Sequence, residues 1–281
     1  MAAAPQFLWS KLASAKWEDA WIERLQCLGP GRLAIFSLPG SKRIRLEAYG
    51  LNARAAARLV TAFGGQTRRM KAPLPTTATP TAPLLIRDRL VVVRSATAAK
   101  TAARAHPHRS LLIIPAAMAF GTGDHATTAT CLRMLTDVAA EKHGRWEALD
   151  LGTGTGILAL AARLLGAARC NAWDYDPACI RATRHNARLN NLRNVPAARV
   201  DVTTWTPARQ WDLLTANLFS EMLISISHKI AAALKPGASL ILSGMLAPQA
   251  HETLAVFEAH GLAFQRIVKK GKWVTALGAR V

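Results

Sequence analysis

The residues best suited to chemistry begin with one stretch, Glu147-Ala-Leu-Asp-Leu-Gly-Thr-Gly-Thr-Gly-Ile-Leu-Ala-Leu-Ala161. It sets glycines at 152, 154 and 156, behind Asp150 and ahead of an Ala/Leu-rich run. Glycine lets the backbone turn tightly and approach a ligand without a Cβ in the way. A helix beginning after the turn offers unpaired N–H groups at its start. Together these make a nucleotide-type cofactor site at the carboxyl end of the first strand of an open α/β sheet. The spacing is Gly-x-Gly-x-Gly, one residue tighter than the Gly-x-Gly-x-x-Gly of dinucleotide binders. The plainer alternative is a glycine-rich βα turn that holds no ligand.

Asp174 lies 18 residues beyond Gly156, at the end of the next expected strand. A carboxylate there is placed to accept both hydroxyls of a ribose diol. Asp176 precedes Pro177, which ends the strand, and is read as a helix cap or surface acid. Asp150 falls inside an apolar run, and a buried carboxylate needs donors. Backbone N–H groups of the glycine turn, or a cofactor ammonium, would serve. Asp201 could accept from an adenine amine or simply sit in an exposed loop. Upstream, Ala119-Phe-Gly-Thr-Gly-Asp-His-Ala-Thr-Thr128 is rich in small and hydroxyl residues just before an apolar helix. Thr127 or Thr128 could cap that helix. Asp124 and His125 could be an acid/base pair, or His125 could fix the loop through its backbone. No second ligand cluster accompanies them, so no metal site is expected.

Around these residues the chain alternates strand and helix from residue 147, as parallel α/β sheets do. Strands are expected at 147–151, 169–173, 197–200, 212–216 and 239–243. Helices are expected at 157–165, 178–189, 221–234 and 248–260. Segments 263–268 and 273–277 read as a closing antiparallel hairpin. Residues 84–93 and 111–114 read as strands flanking a basic loop at 96–109. Its cations are either solvated or a phosphate-contacting patch. Residues 1–71 follow the order β-α-β-β-α-β of a small α+β, ferredoxin-like sandwich. Within it, Asn52 is a candidate helix cap. Residues 72–83 are a Pro/Thr-rich linker. The expected architecture is thus a small substrate-recognition domain (1–71), the linker, and a Rossmann-like domain (84–281) on a seven-stranded, mostly parallel sheet. A tighter turn than a dinucleotide needs, with a terminal hairpin, points to S-adenosylmethionine rather than NAD.

The chain has 281 residues with 36 Lys+Arg against 17 Asp+Glu, a formal net charge of +19. Such a balance favours acidic partners: nucleic acid, ribosomes or anionic membrane. An Arg-rich proteome from a GC-rich genome is the alternative source. Cys27, Cys131, Cys170 and Cys179 are scattered, which indicates neither a disulfide framework nor a zinc site and suits a reducing cytoplasm. The start of the chain lacks the charged and apolar regions of a signal peptide. No apolar run approaches the roughly 20 residues of a transmembrane helix.

Three motifs resemble the class I S-adenosylmethionine-dependent methyltransferases, and among them the bacterial PrmA family, which methylates a protein at the stalk base of the large ribosomal subunit. They are the 119–128 loop, Leu149-Asp-Leu-Gly-Thr-Gly-Thr-Gly-Ile-Leu-Ala159, and Asp174-Tyr-Asp-Pro-Ala-Cys-Ile-Arg-Ala182 with Asn186, Asn190 and Asn191. Ala216-Asn-Leu and Leu242-Ser-Gly-Met-Leu246 add to them, and the similarity spans about residues 110–281. The resemblance implies that Phe120, Gly121, Thr122 and Thr128 border the cofactor. Gly152 and Gly154 would approach its methionine part, with Gly156 and Asp150 in the same turn. Asp174 would hold the ribose, and Asn217 would lie beside the methyl group and orient the incoming amine. It also implies a ribosomal protein as substrate; the basic charge allows an rRNA contact through the basic surface, and a cytoplasmic monomer is expected. Asp124 and Ala126 stand where the family usually has Thr and Pro. Leu218-Phe-Ser-Glu-Met-Leu223 lacks its small-residue and Pro pattern. RNA or small-molecule methylation, and ribosome binding without catalysis, are the competing functions.

Overall fold

The computed structural model describes residues 6–15, 18–25, 28, 32–38, 40–70, 82–115 and 126–281. The chain divides into two compact units, Met1–Pro80 and Thr81–Val281. Residues 72–81 of the expected linker and 119–125 of the expected cofactor loop lie outside the described residues.

The smaller unit runs β1 (Phe7–Ser14), α1 (Glu18–Leu25), β2 (Leu33–Ser37), β3 (Arg43–Leu51), α2 (Ala53–Phe63) and β4 (Gln66–Arg69). Its sheet has the order β2-β3-β1-β4, with every adjacent pair antiparallel. Strand β3 alternates strictly at its start: Ile44 and Leu46 are buried, Arg43 and Arg45 exposed. A period of two puts these sets on opposite faces. Trp9, Ile44, Leu46 and Ala48 therefore meet Trp21 and Leu25 of α1 and Ala56 and Leu59 of α2 in one core. Helix α2 begins where expected, with Asn52 Oδ1 accepting from Ala55 N at 2.8 Å. A cap of this kind contributes about 1 kcal/mol.

The larger unit opens with β5 (Leu84–Ile86), β6 (Leu90–Val93), α3 (Ala96–Ala105) and β7 (Ser110–Ile113). The expected strand 84–93 is thus two antiparallel strands, folded back at Arg87, which has φ 49°. The expected basic loop is mostly helix. Ser95 caps it by accepting from Ala98 N at 3.1 Å. Its buried stripe is only Ala99 and Ala102, too small a signal to stand out among lysines and arginines.

The remainder is α4 (Ala126–Glu141), β8 (Glu147–Leu151), α5 (Ile157–Leu164), β9 (Arg169–Asp174), α6 (Pro177–Leu189), β10 (Ala197–Arg199), β11 (Trp211–Asn217), α7 (Ser220–Ala232), β12 (Leu234–Leu246), α8 (Ala247–Ala259), β13 (Leu262–Lys270) and β14 (Trp273–Arg280). Its sheet has the order β10-β9-β8-β11-β12-β14-β13. The pairs from β10 to β12 are parallel, and the β13–β14 hairpin closes the sheet antiparallel to β12. Strand β12 continues through Lys235-Pro-Gly237, expected as a turn, with a register shift that absorbs it. Both faces of the sheet are covered by apolar clusters, as a parallel sheet requires. The order reverses between β8 and β11. That switch point is where open α/β sheets hold ligands, at the carboxyl ends of the strands.

Candidate functional site

The site is built from the ends of four parallel strands. Leu151 ends β8, and the chain then turns through Gly152, Gly154 and Gly156 with φ of 68°, 56° and 83°. Side chains other than glycine rarely adopt that left-handed region. Helix α6 fastens the turn from beside it. Thr183 Oγ1 donates to Gly154 O at 3.1 Å, and Asn186 Nδ2 donates to Thr155 O at 2.9 Å. A Cβ on Gly156 would stand 2.8 Å from Thr183 Cγ2, so this glycine is needed for helix packing as well as for its φ.

Asp174 ends β9 and ties the turn to its own strand. Its Oδ2 accepts from Gly154 N and its Oδ1 from Asp176 N, both at 2.9 Å. A carboxylate has about four acceptor positions, so each oxygen keeps capacity for a further donor. Asp176 is a helix cap, accepting from Ala178 N at 2.7 Å with Pro177 in the first turn of α6.

Asp150 is 1% exposed, and its donors differ from those expected. Thr153 Oγ1 and Thr215 Oγ1 each donate to it at 2.6 Å. Burial raises its pKa to about 6 against these two bonds, and repulsion from Asp174 adds to the rise. Its carboxylate points into the sheet as a brace between β8, the turn and β11. The signal for this was Thr153, a hydroxyl between glycines, together with Thr215 inside an otherwise apolar strand.

A cavity of about 350 Å³ lies over these strand ends, lined by Gly152, Asp174, Tyr175, Val200, Asp201, Val202, Thr203, Leu218 and Met222. That is the lower range of small-molecule sites. The cavity lining combines two carboxylates with apolar side chains. The Asp201 carboxylate sits below its ordinary range because Thr203 Oγ1 and Thr203 N both donate to its Oδ1. Leu218, which in the sequence only opens a segment that departs from the family pattern, is gripped by two glycines. Built Cβ atoms on Gly152 and Gly244 would lie 2.4 Å from Leu218 Cδ2 and Leu218 O respectively. Trp173, Trp205 and Trp211 pack edge to face, with centroids 5.2 and 5.6 Å from Trp173 and 6.3 Å between the other two.

Asn217 ends β11 half-buried, its Nδ2 3.4 Å from Thr127 Oγ1 on α4. Thr128 beside it is 1% exposed, and its Oγ1 has no hydrogen-bond partner among the described residues. A buried hydroxyl without a partner costs free energy, so it marks a position where a donor or acceptor is wanted. The structure thus gathers Gly152, Gly154, Gly156, Asp174 and Asn217 at one sheet edge and sets Asp150 beneath them. Phe120, Gly121, Thr122, Asp124 and His125 lie outside the described residues. No group of three or more His, Cys, Asp or Glu suited to a metal occurs among the described residues.

This sheet order, hairpin and glycine turn define an α/β fold of the methyltransferase kind. A solved ribosomal protein L11 methylase from Lactobacillus delbrueckii subsp. bulgaricus shares it, with a TM-score of 0.58 at 22% identity over 69% of this chain and 97% of that one. The chain belongs to the ribosomal protein L11 methyltransferase (PrmA) family, whose model matches residues 78–280. It is 40% identical over 173 residues to a ribosomal protein L11 methyltransferase from Rhizobium meliloti (strain 1021), covering 60% of this chain and 59% of that one. It is also 40% identical over 170 residues to the Pseudomonas aeruginosa (strain PAO1) protein of that name, covering 60% and 56%. The chain therefore spans less than two thirds of the length of these relatives.

Proposed function

We propose that this chain is an S-adenosylmethionine-dependent N-methyltransferase acting on amines, a lysine side chain or the N-terminus, of ribosomal protein L11. The observation that carries the reading is the Asp174 carboxylate, held over the glycine turn on the wall of the cavity. The residues present suit the cofactor. Three glycines leave no Cβ on the turn, Thr128 offers an unpartnered buried hydroxyl, and Asp174 retains acceptor positions for a diol. Bound there, S-adenosylmethionine would supply an electrophilic sulfonium methyl group.

The protein's own part is positioning and exclusion of water. Val202, Leu218 and Met222 offer apolar walls to a base ring. Asn217 would accept a hydrogen bond from the incoming amine and aim its lone pair. That amine must be neutral, and a free lysine with pKa about 10.4 is almost wholly protonated at pH 7. Alignment and desolvation then supply most of the rate, since no strong base is required. The four-stranded antiparallel unit is read as a ferredoxin-like substrate-recognition domain (1–71), joined by the linker (72–83) to the methyltransferase domain (84–281) of a cytoplasmic monomer. Among the described residues no helix is long and apolar enough to cross a membrane.

The test is transfer of labelled methyl groups to purified large ribosomal subunits, followed by protease or nuclease. Label lost only to protease supports the reading; label lost to nuclease refutes the protein substrate. Calorimetry with S-adenosylhomocysteine should show binding that Asp174→Ala abolishes, and no binding to the unaltered chain would overturn the enzyme reading altogether.

A further inference from the structure

On the face of the small unit's sheet opposite its helix-packed core, Leu8 and Glu47 are buried at one end while the other end is exposed. In β1, β3 and β2, Leu12, Arg45 and Phe36 are direct cross-strand partners, so they form one row on the face opposite the core. Leu12 is 46% exposed and Phe36, on the edge strand β2, 40%. The Arg45 guanidinium lies over the Phe36 ring, 5.2 Å from its centroid. Arg43 and Arg68 extend the same face at either end and are exposed. Its one carboxylate, Glu47, is nearly buried and engaged by Arg45 at 2.9 Å and by the Tyr49 hydroxyl. The face therefore combines a net positive charge with a planar platform.

We propose that this sheet face binds single-stranded RNA, one base stacking on the Phe36–Arg45 pair while Arg43 and Arg68 meet flanking phosphates. An acidic protein segment would use the cations but gain little from a flat ring capped by a guanidinium. Unpaired bases stack on aromatic and guanidinium planes, and four-stranded sheets with helices behind them present such planes. The surplus of arginines supplies the sequence-independent phosphate attraction. The proposal does not rest on methyl transfer, so either may fail alone.

The experiment measures anisotropy of a labelled mixed-sequence RNA of about twelve nucleotides with the full chain. The same sequence as a duplex, and poly-glutamate, serve as competitors. Phe36→Ala should weaken binding about ten-fold, a typical loss for one stacking platform, while Phe36→Tyr should keep it. Arg43→Ala and Arg68→Ala should each flatten the log–log salt dependence by about 0.7. Should Phe36→Ala fold poorly by circular dichroism, Phe36→Leu carries the test, since it keeps apolar bulk without a π-face. Unaltered affinity of the ring-deleted variant overturns the proposal, as does absence of binding. Equal competition by duplex overturns it too. Equal competition by poly-glutamate would make this a protein-docking face instead. A loss in Lys269→Ala/Lys270→Ala as large as in Phe36→Ala would move the contact to the β13–β14 hairpin and also overturn it.

Discussion

Gly244→Ala should damage this protein far more than Gly237→Ala, although both glycines lie on β12 with similar backbone angles. Gly237 has φ 73°, and a Cβ there meets nothing within 4 Å. Its cost is left-handed strain alone, about 1–2 kcal/mol, partly offset because alanine stiffens the unfolded chain. Gly244 has φ 86°, and its Cβ would lie 2.4 Å from Leu218 O, 2.8 Å from Leu218 C and 3.0 Å from Leu218 N. Those are backbone atoms, so no rotamer change relieves the clash. The β11–α7 connection must move away from β12, straining the Leu218 N to Ser243 O bond of 3.0 Å. Forced repacking of this kind adds about 1–3 kcal/mol. Urea unfolding followed by tryptophan fluorescence should therefore show a difference of about 2 kcal/mol between the variants at unchanged slope. Because Leu218 lines the cavity and would have to move, Gly244→Ala should also weaken S-adenosylhomocysteine binding, and Gly237→Ala should not. Equal destabilisation by the two substitutions would refute the claim that β12 holds the site through this close approach.

Asp150 makes a pH test. Its folded pKa, about 6, is above the unfolded value, so the native state holds its proton more tightly. Its contribution to stability is present in full below about pH 4 and is lost as pH rises through about 6. Asp137 and Asp212 have depressed pKa values and slope the other way, so the measurement is the difference between wild type and Asp150→Asn across that window; a flat difference would count against it. Asn186→Ala should cost about 1–3 kcal/mol in urea unfolding, because it removes the buried Asn186 Nδ2 bond to the Thr155 carbonyl. Asn217→Ala should lower kcat for labelled-methyl transfer at least ten-fold with little change in cofactor affinity; loss of cofactor binding instead would assign Asn217 a cofactor role.

Much of the parallel half of the sheet was legible because β8, β9 and β11 carry Asp150, Asp174 and Asn217 at or next to their carboxyl ends, and each is followed by a helix. Gly152, Gly154 and Gly156 advertised their turn because glycine at alternate positions marks a backbone that needs positive φ. What escaped was set by contacts between distant segments. Leu218 looks like any core leucine until Gly152 and Gly244 are seen on either side of it. Thr153 and Thr215 lie 62 positions apart, and nothing local says they share one carboxylate. Helix α3 escaped for a different reason: an alanine stripe buries so little area that the charged residues around it dominate the pattern.

The packed trio of Trp173, Trp205 and Trp211 gives the site a built-in optical gauge. Indole rings 5–6 Å apart share their excitation, so this trio contributes to the near-ultraviolet dichroism as a group rather than as single chromophores. Trp173 directly precedes Asp174, and Trp205 follows Thr203 by two residues. Filling the cavity should therefore change this signal, and an unchanged near-ultraviolet spectrum on adding S-adenosylhomocysteine would refute the link.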